Sequence, residues 1–329
     1  MVGSTRLPSR FTRRWALMAL SAAGSQIVSG VALAQGARRT ARIVVPFTAG
    51  SGSDSAARFF GEKLGPLIDQ SVIVENKPGG NGLITIQAVK SAPPDGSTIL
   101  LGNISLMAIN PVVLKNPGYD PLGDFQPLSG LYRGPAIYCV PLESPYKTLE
   151  DLVVASRKTP VAMGNYSQGY QLAVDYLAKL ASAKFVHVPY KGQAPLMADL
   201  MGNQVEAALL DFGGAVTTLK ANKLRPLAIT SDARHPAFPN VPTVRESGFG
   251  EYVHYSWVGL FVRRETPVQL TERMTEALQQ ILKTPDAQKF ADSISGELMP
   301  LRPAEMRQFV TAEYERFRKV AAAAGIVPQ

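Results

Sequence analysis

Apolar positions along the chain predict short strands that alternate with helices. Residues 42–45 form a β-branched run, and Pro46 ends it. Over 54–67 the apolar residues recur at helical spacing, and 71–75 is the next β-branched run. A strand, a helix and a second strand within about 35 residues make a βαβ unit, which implies a parallel sheet.

The same alternation continues along the chain. Further strands are predicted over residues 98–101, 136–140, 161–163, 185–188, 205–210, 225–230 and 255–262. Helices are predicted over residues 149–157, 171–180, 195–201, 216–221, 268–282 and 304–324. So many βαβ units exceed one compact sheet, so we expect an α/β protein of two lobes. Loops at the carboxyl ends of the strands would face a cleft, where such folds bind ligands.

The first 34 residues have a different pattern. They hold four arginines and no acidic residue, then an apolar run over 15–23, and they end in Ala32-Leu33-Ala34. This order is typical of a secretory signal that is cleaved after Ala34, and its apolar core is too short to span a bilayer. Arg13 and Arg14 leave twin-arginine export open beside the general secretory route. We therefore expect an exported protein.

Charge and cysteine content narrow the class of protein. The net charge is +8, but removing the four arginines of the signal leaves 30 basic against 26 acidic residues, or +4. The remaining basic residues are scattered, so no nucleic-acid surface is expected. No second apolar stretch approaches membrane length. Cys139 is the only cysteine, which excludes an internal disulfide, and its apolar neighbours predict a buried, inert thiol.

The loop between the first strand and the first helix is the strongest candidate site. Its glycines can expose backbone N–H groups, Ser53 or Asp54 can cap the helix, and the helix dipole favours an anion there. The alternative is a plain capped turn. The loop lacks the lysine of a P-loop, and Ser55 replaces the third glycine of a dinucleotide fingerprint. Glu75 could mimic the ribose-binding acid of that fingerprint, so the nicotinamide hypothesis stays open but weak.

A second loop, over residues 187–195, repeats the layout of strand, proline, aromatic residue, glycine and helix. We expect the two loops to sit at corresponding strand ends and to face each other. The alternative is a loop folded only for packing.

Catalytic patterns are weak. The three histidines show no metal-ligand spacing, and no G-x-S-x-G elbow occurs. Asp54, Asp199 and Asp211 could pair in space, and His187 lies in an alternating strand where a structural role is favoured. No catalytic residue, metal or cofactor is therefore predicted.

From about Arg42 to the end, the chain resembles the Bug family, the periplasmic solute-binding receptors of tripartite tricarboxylate transporters. The matching motifs are Val45-Pro46-Phe47, Ala49-Gly50, Ser53-Asp54, Val74-Glu75-Asn76, Pro78-Gly79, Gly82, Pro94-Asp95-Gly96, Thr98, Leu100, Asn110-Pro111, Tyr119-Asp120-Pro121, Asp124-Phe125, Val188-Pro189-Tyr190-Lys191-Gly192, Asp199-Leu200, Gly202, Gln204-Val205, Arg225-Pro226-Leu227-Ala228, Val241-Pro242-Thr243, Glu246, Gly248 and Trp257. The chain departs from the family at Thr48, usually Pro, at Ser51, commonly Gly, and at Ser97, usually Tyr. The first two lie in the candidate ligand loop and bear on ligand identity.

The resemblance implies a two-lobed periplasmic-binding-protein fold (type II, Venus-flytrap) that closes on a small carboxylate without a cofactor. The lobes would be 35–138 plus 258–329, and 139–257, after a signal peptide over 1–34. The implied ligand is a di- or tricarboxylate or an aromatic carboxylate, and the partners are the transporter's membrane subunits; we expect a monomer. The ligand-binding residues implied are Phe47, Thr48, Ala49, Gly50, Ser51, Gly52, Ser53, Asp54, Ser105, Ser167, Gly169, Tyr190, Lys191, Gly192 and Asp211.

Three points stay open at this stage. Phe47 and Tyr190 could sandwich a flat ligand, or either could simply pack. An exported enzyme acting on a carboxylate or its ester could use a similar frame. A receptor that feeds a membrane sensor rather than a transporter has the same sequence features.

Overall fold

The computed structural model describes residues 39–325, together with positions 3 and 328. Apart from position 3, the predicted signal peptide over 1–34 lies outside the described residues. Arg39–Gln329 forms one compact unit.

The predicted alternation of strands and helices is confirmed, with ends displaced by a few residues. The strands are β1 Thr40–Val45, β2 Ser71–Asn76, β3 Thr98–Asn103, β4 Phe125–Pro141, β5 Val161–Asn165, β6 Phe185–Pro189, β7 Ala207–Asp211, β8 Leu224–Ile229, β9 Tyr255–Arg263 and β10 Glu297–Leu298. The helices are α1 Gly52–Ile68, α2 Leu83–Lys90, α3 Asn110–Val113, α4 Leu149–Lys158, α5 Gln168–Ala181, α6 Gln193–Met201, α7 Phe212–Lys220, α8 Val268–Leu282, α9 Pro285–Ser293 and α10 Pro303–Ala324. A 3₁₀ turn at Gly80–Gly82 and a π-helical turn at Ser105–Ile109 complete the set.

The strands form one ladder in the order β2-β1-β3-β9-β4-β7-β5-β6, with β10 and β8 also paired to β4. β1 is parallel to β2 and β3, and β5 is parallel to β6 and β7, as predicted. A purely parallel sheet is wrong, however, because β4 and β9 run antiparallel to their neighbours. β9 is reached through 230–254, which contain no helix, and it inserts between β3 and the first part of β4, antiparallel to both.

Strand β4 belongs to both ends of this ladder. Its residues from Phe125 to Pro135 pair with β9, whereas its pairing with β7 begins at Ala136. We call β1–β3, β9, β10 and the first part of β4 the first half of the sheet, and the remainder of β4 with β5–β8 the second half. The sequence did not predict the start of β4, because Pro127, Pro135 and two glycines, Gly130 and Gly134, interrupt its apolar pattern.

Apolar side chains are buried on both faces of the sheet. Ile43 and Val45 enter one cluster of the first half, while Val44 between them enters another, as strand alternation requires. Strands covered on both faces show near-continuous apolar runs, which is why the sequence marked them clearly. The second half has its own cluster, which includes Tyr138 and the thiol of Cys139. That thiol is free and buried, and burial raises its pKa, so it is inert as predicted.

Candidate functional site

The loop that leaves β1 is shaped by one glycine and one serine. Gly50 has φ 84°, a conformation that residues with side chains rarely adopt. Ser51 is the N-cap of α1, and its hydroxyl accepts a hydrogen bond from the Asp54 N–H at 3.2 Å. The prediction that Ser53 or Asp54 caps the helix is therefore wrong by two or three positions, because the helix already begins at Gly52.

The carboxylate of Asp54 fixes the conformation of this loop through hydrogen bonds. Its carboxylate accepts hydrogen bonds from the Gly50 N–H at 3.0 Å, from Arg58 at 3.0 and 3.1 Å, and from Asn76 Nδ2 at 2.9 Å. Burial raises the pKa of Asp54, but these hydrogen bonds and the Arg58 charge outweigh it, so the net pKa lies below its usual value. The carboxylate stays ionised and fixes the loop.

Among the described residues, two backbone N–H groups at the start of α1 have no hydrogen-bond acceptor. The first N–H groups of a helix have no partner inside it. The cap of Ser51 satisfies the N–H of Asp54, and no acceptor for the N–H groups of Gly52 and Ser53 occurs among the described residues. These two donors lie at the positive end of the helix dipole, where an anion is stabilised.

A narrow pocket lined by Gly52 and Ser53 lies between the two halves of the sheet. Its lining comprises Phe47, Ser51, Gly52, Ser53, Asn103, Ile104, Ser105, Tyr166, Ser167, Gly169, Tyr170, Asp211, His254 and Ser256. The cavity left between them is about 10 Å³, roughly the space that one water molecule needs. A larger ligand must therefore part the two walls.

Glycines let the walls approach each other. A Cβ at Gly52 would lie 2.6 Å from Asp211 Oδ1, and a Cβ at Gly169 would lie 2.7 Å from Ser105 Oγ. The Gly169 N–H donates to the same Ser105 hydroxyl at 3.2 Å, which gives a direct polar contact across the pocket. Each approach depends on the missing side chain.

Asp211 ends β7 on the far wall. It caps α7, because its carboxylate accepts a hydrogen bond from the Gly214 N–H at 2.9 Å. The side-chain amide of Gln193 donates to the Asp211 carbonyl at 3.0 Å and accepts from the Asp211 N–H at 3.1 Å. Burial raises the pKa of Asp211, against the opposing hydrogen bonds of Gly214, Tyr170 and Gly213. Asp211 lies at the end of β7 and lines the pocket, as predicted.

Aromatic rings form one side of the pocket. Phe47 meets Tyr166 edge-on with centroids 5.3 Å apart, and Tyr166 lies 4.7 Å from Tyr170. Tyr190 lies outside the pocket lining and donates its hydroxyl to Asp199 at 2.9 Å. Phe47 and Tyr190 thus each pack against protein in this structure, and the sandwich of a flat ligand between them stays a prediction.

The second predicted loop reaches the first loop rather than the pocket. Gly192 is buried against Thr48: a Cβ there would lie 2.1 Å from the Thr48 hydroxyl. Lys191 is exposed. Of the predicted site residues, those outside the pocket lining are Thr48, Ala49, Gly50, Asp54, Tyr190, Lys191 and Gly192.

Six lining residues were not predicted, namely Asn103, Ile104, Tyr166, Tyr170, His254 and Ser256. Asn103 ends β3, and the residues just before and within the start of β9 reach the same edge only because β9 is antiparallel to β3. If the amino ends of antiparallel strands had been considered together with the carboxyl ends of parallel strands, Asn103 and Ser256 would have been found. Tyr166 and Tyr170 flank predicted Ser167 and could have been taken from the same loop.

The groups considered for catalysis are separately engaged. Asp54, Asp199 and Asp211 each bond to different partners, as described above. His187 bonds through Nε2 to Asp175 at 2.7 Å and through Nδ1 to the amide of Asn165 at 3.0 Å. This confirms the structural role favoured for His187.

The described residues contain neither a candidate metal-ion cluster nor a helix that could span a membrane. No cluster of three or more histidine, cysteine, aspartate or glutamate side chains in this part of the chain is placed to hold a metal ion. Within the same residues, no helix combines the length and apolar character needed to cross a membrane.

Comparisons with known proteins agree with this architecture. The structure of R. palustris Rpa4515 with adipate superposes with a TM-score of 0.84 at 30% identity, over 88% of this chain and 99% of that one. The periplasmic binding protein BugD gives 0.84 at 28% identity, over 88% and 99%. An Agrobacterium vitis protein of the ttuE–ttuC′ intergenic region, described as UPF0065, is 32% identical over 290 residues, 86% of this chain and 84% of its own.

These findings define the molecule as an α/β periplasmic binding protein with a mixed sheet, a receptor and not an enzyme. The model of the tripartite tricarboxylate transporter family receptor, TctC, matches residues 56–326. The chain belongs to this family, and the resemblance to Bug proteins seen in the sequence is confirmed.

Proposed function

We propose that the protein captures a small carboxylate, either a di- or tricarboxylate or an aromatic carboxylate, in the pocket at the start of α1. The observation that carries this proposal is that Gly52 and Ser53, whose N–H groups have no acceptor among the described residues, both line that pocket. Several hydroxyl groups surround them and can donate to the same carboxylate. The adipate in the related Rpa4515 structure supports a carboxylate ligand.

In this proposal, binding closes two lobes, formed by 35–138 plus 258–329 and by 139–257. The change of β4's partner between Pro135 and Ala136 supports a division in this region. Closure replaces the water around the carboxylate with fixed donors, and the ligand's preference for the closed form drives it. Phe47, the loop 48–54, Ser105, Ser167, Gly169, Asp211 and the loop 190–192 would form the two faces of the cleft.

The partners follow from the family. We propose that the closed, monomeric receptor hands its ligand to the membrane subunits of a tripartite tricarboxylate transporter in the periplasm, without nucleic acid or cofactor. Export would require cleavage after Ala34, and the start of the compact unit at Arg39 supports a boundary nearby. The mass of the exported protein tests this boundary, since the mature chain should begin at Gln35.

Isothermal titration of folded, ligand-free protein tests the binding proposal. We expect one site per chain for at least one member of a panel of mono-, di-, tri- and aromatic carboxylates. The matching methyl esters should bind at least tenfold more weakly, because the anion is what the α1 donors stabilise. Absence of binding across the panel would overturn the proposal, as would esters that bind as tightly as acids.

A further inference from the structure

Two polar atoms in the pocket wall have no hydrogen-bond partner. They are Nε2 of His254 and Nδ2 of Asn103, and both are buried. Their side chains are 5% and 2% exposed, so water cannot compensate them from bulk solvent. Buried polar atoms are paired in nearly all proteins, and an unpaired one calls for an explanation.

Both side chains are held firmly. The other end of the Asn103 amide is used, because its Oδ1 accepts from the Leu106 N–H at 2.9 Å, which leaves Nδ2 as the free donor. The backbone of His254 is fixed on both sides by Thr230, through bonds of 2.9 Å to its N–H and 2.6 Å to its carbonyl. The Asn103 side chain and the backbone that carries the His254 ring are therefore fixed before any ligand arrives.

The charge of the pocket limits what these atoms can bind. Burial, with a smaller effect of the Arg316 charge, lowers the pKa of His254 to about 3, so the ring is neutral. Asn103 is neutral as well. Among the described residues that line the pocket there is no lysine or arginine, and Asp211 is the sole carboxylate. A second ligand carboxylate would be buried in this lining without a countercharge and away from the start of α1, which is costly.

We propose that His254 and Asn103 hold the end of the ligand opposite its carboxylate, and that this end carries an uncharged hydrogen-bonding group such as an amide, carbonyl or hydroxyl. The inference rests on the proposed function, since the carboxylate at α1 sets the orientation. It narrows the ligand class from carboxylates in general to acids whose second polar group is neutral.

Matched pairs of acids test the inference. Succinate, glutarate and adipate are compared by titration with their monoamides, which have the same length and differ only in the charge of one end. For the length that binds best, we expect the monoamide to bind at least tenfold more tightly than the diacid. Equal or tighter binding of the diacid overturns the inference while leaving the proposed function intact. If no acid or amide binds at all, the proposed function itself fails.

Variants locate the effect. His254 also borders a second cavity of about 150 Å³, so His254→Leu is chosen to remove Nε2 while keeping the wall filled. We expect it to weaken monoamide binding about tenfold more than it weakens the binding of butyrate, valerate and hexanoate. His254→Gln, which can restore a donor, should recover most of the loss. Unchanged monoamide affinity in His254→Leu contradicts the assignment.

Two further variants complete the design. Asn103→Asp keeps the acceptor for Leu106 but replaces the Nδ2 donor with a charged oxygen, which should weaken all carboxylates. The loss of monoamide affinity should therefore exceed the loss of butyrate affinity, and this difference decides the question if His254→Leu fails to fold. His235→Leu changes a histidine outside the pocket lining. It should leave both affinities within twofold of the wild type.

Discussion

Gly192 shows how one missing side chain can govern the contact between two loops. Its φ is 177°, an extended backbone that any residue adopts, so a larger residue there would suffer from contact alone. The nearest atoms to an added Cβ all belong to Thr48, at 2.1 to 2.9 Å. A side chain at this position must push the loop of α1 away from the loop of α6.

We therefore expect Gly192→Val to weaken carboxylate binding by tenfold or more while the folded protein retains its circular dichroism and melting cooperativity. Titration calorimetry measures the affinity. Gly202→Ala is the matched control, because an added Cβ there meets nothing closer than 3.4 Å, and it should bind as the wild type does. Wild-type affinity in Gly192→Val would mean that these loops do not need to meet.

His254 gives a second consequence at the scale of one residue, in the dependence of stability on pH. Its folded pKa of about 3 lies below the ordinary 6.5. As the pH falls through 6.5, the unfolded chain takes up a proton that the folded chain refuses, so folding stability falls by about 1.4 kcal/mol per pH unit until the pH approaches the folded value.

Between pH 6.5 and 4.5, the wild type should thus lose roughly 2 to 3 kcal/mol more unfolding free energy than His254→Gln. Urea titrations at several pH values measure the difference. Other titrating groups are common to both proteins and cancel in the comparison. Parallel pH profiles for the two proteins would show that the ring is not buried in its neutral form.

At the scale of elements, Thr230 joins the two segments that pass between the halves of the sheet. Its backbone pairs with Ala136 in β4 and with His254 just before β9, and its hydroxyl accepts from the Ala136 N–H at 2.8 Å and donates to the His254 carbonyl at 2.6 Å. Thr230 follows the end of β8 directly, so it lies between β4 and the segment that leads into β9. Thr230 is fully buried.

Thr230→Val keeps the shape of the side chain but leaves a buried N–H and a carbonyl with fewer partners. We expect a loss of roughly 2 to 3 kcal/mol in unfolding free energy, read from the urea midpoint. Thr230→Ser retains the hydroxyl and should lose less than half as much. Equal losses in the two variants would assign the effect to the methyl group instead.

The elements also show what the sequence could predict. The βα unit of β1 and α1 is local, so its strand, glycine loop and helix were all visible as patterns. The lining from His254 was not, because it depends on β9 lying antiparallel beside β3, and no local pattern encodes that pairing. Gly192 was predicted as a site residue. Its contact with Thr48 could not be predicted, because it depends on how the second half of the sheet packs against the first.

At the scale of the whole molecule, the pocket proposed to bind a carboxylate has no basic side chain in its lining. Its donors are backbone N–H groups and neutral side chains, buried where dissolved ions screen weakly. We expect the Kd of the best carboxylate to change less than about threefold between 50 and 500 mM NaCl, measured by titration. A tenfold or greater weakening would indicate that a lysine or arginine reaches the ligand.

The shared strand β4 has a further consequence, for the time course of folding. Gln279 Nε2 reaches Ser129 Oγ across 150 residues of chain, and Arg133 meets Glu297 across 164. Contacts between such distant residues slow folding, because long loops must close before they form. The β4 ladder is completed only when nearly the whole chain is present. A newly made chain therefore lacks part of the pairing and packing of β4 until its last quarter emerges.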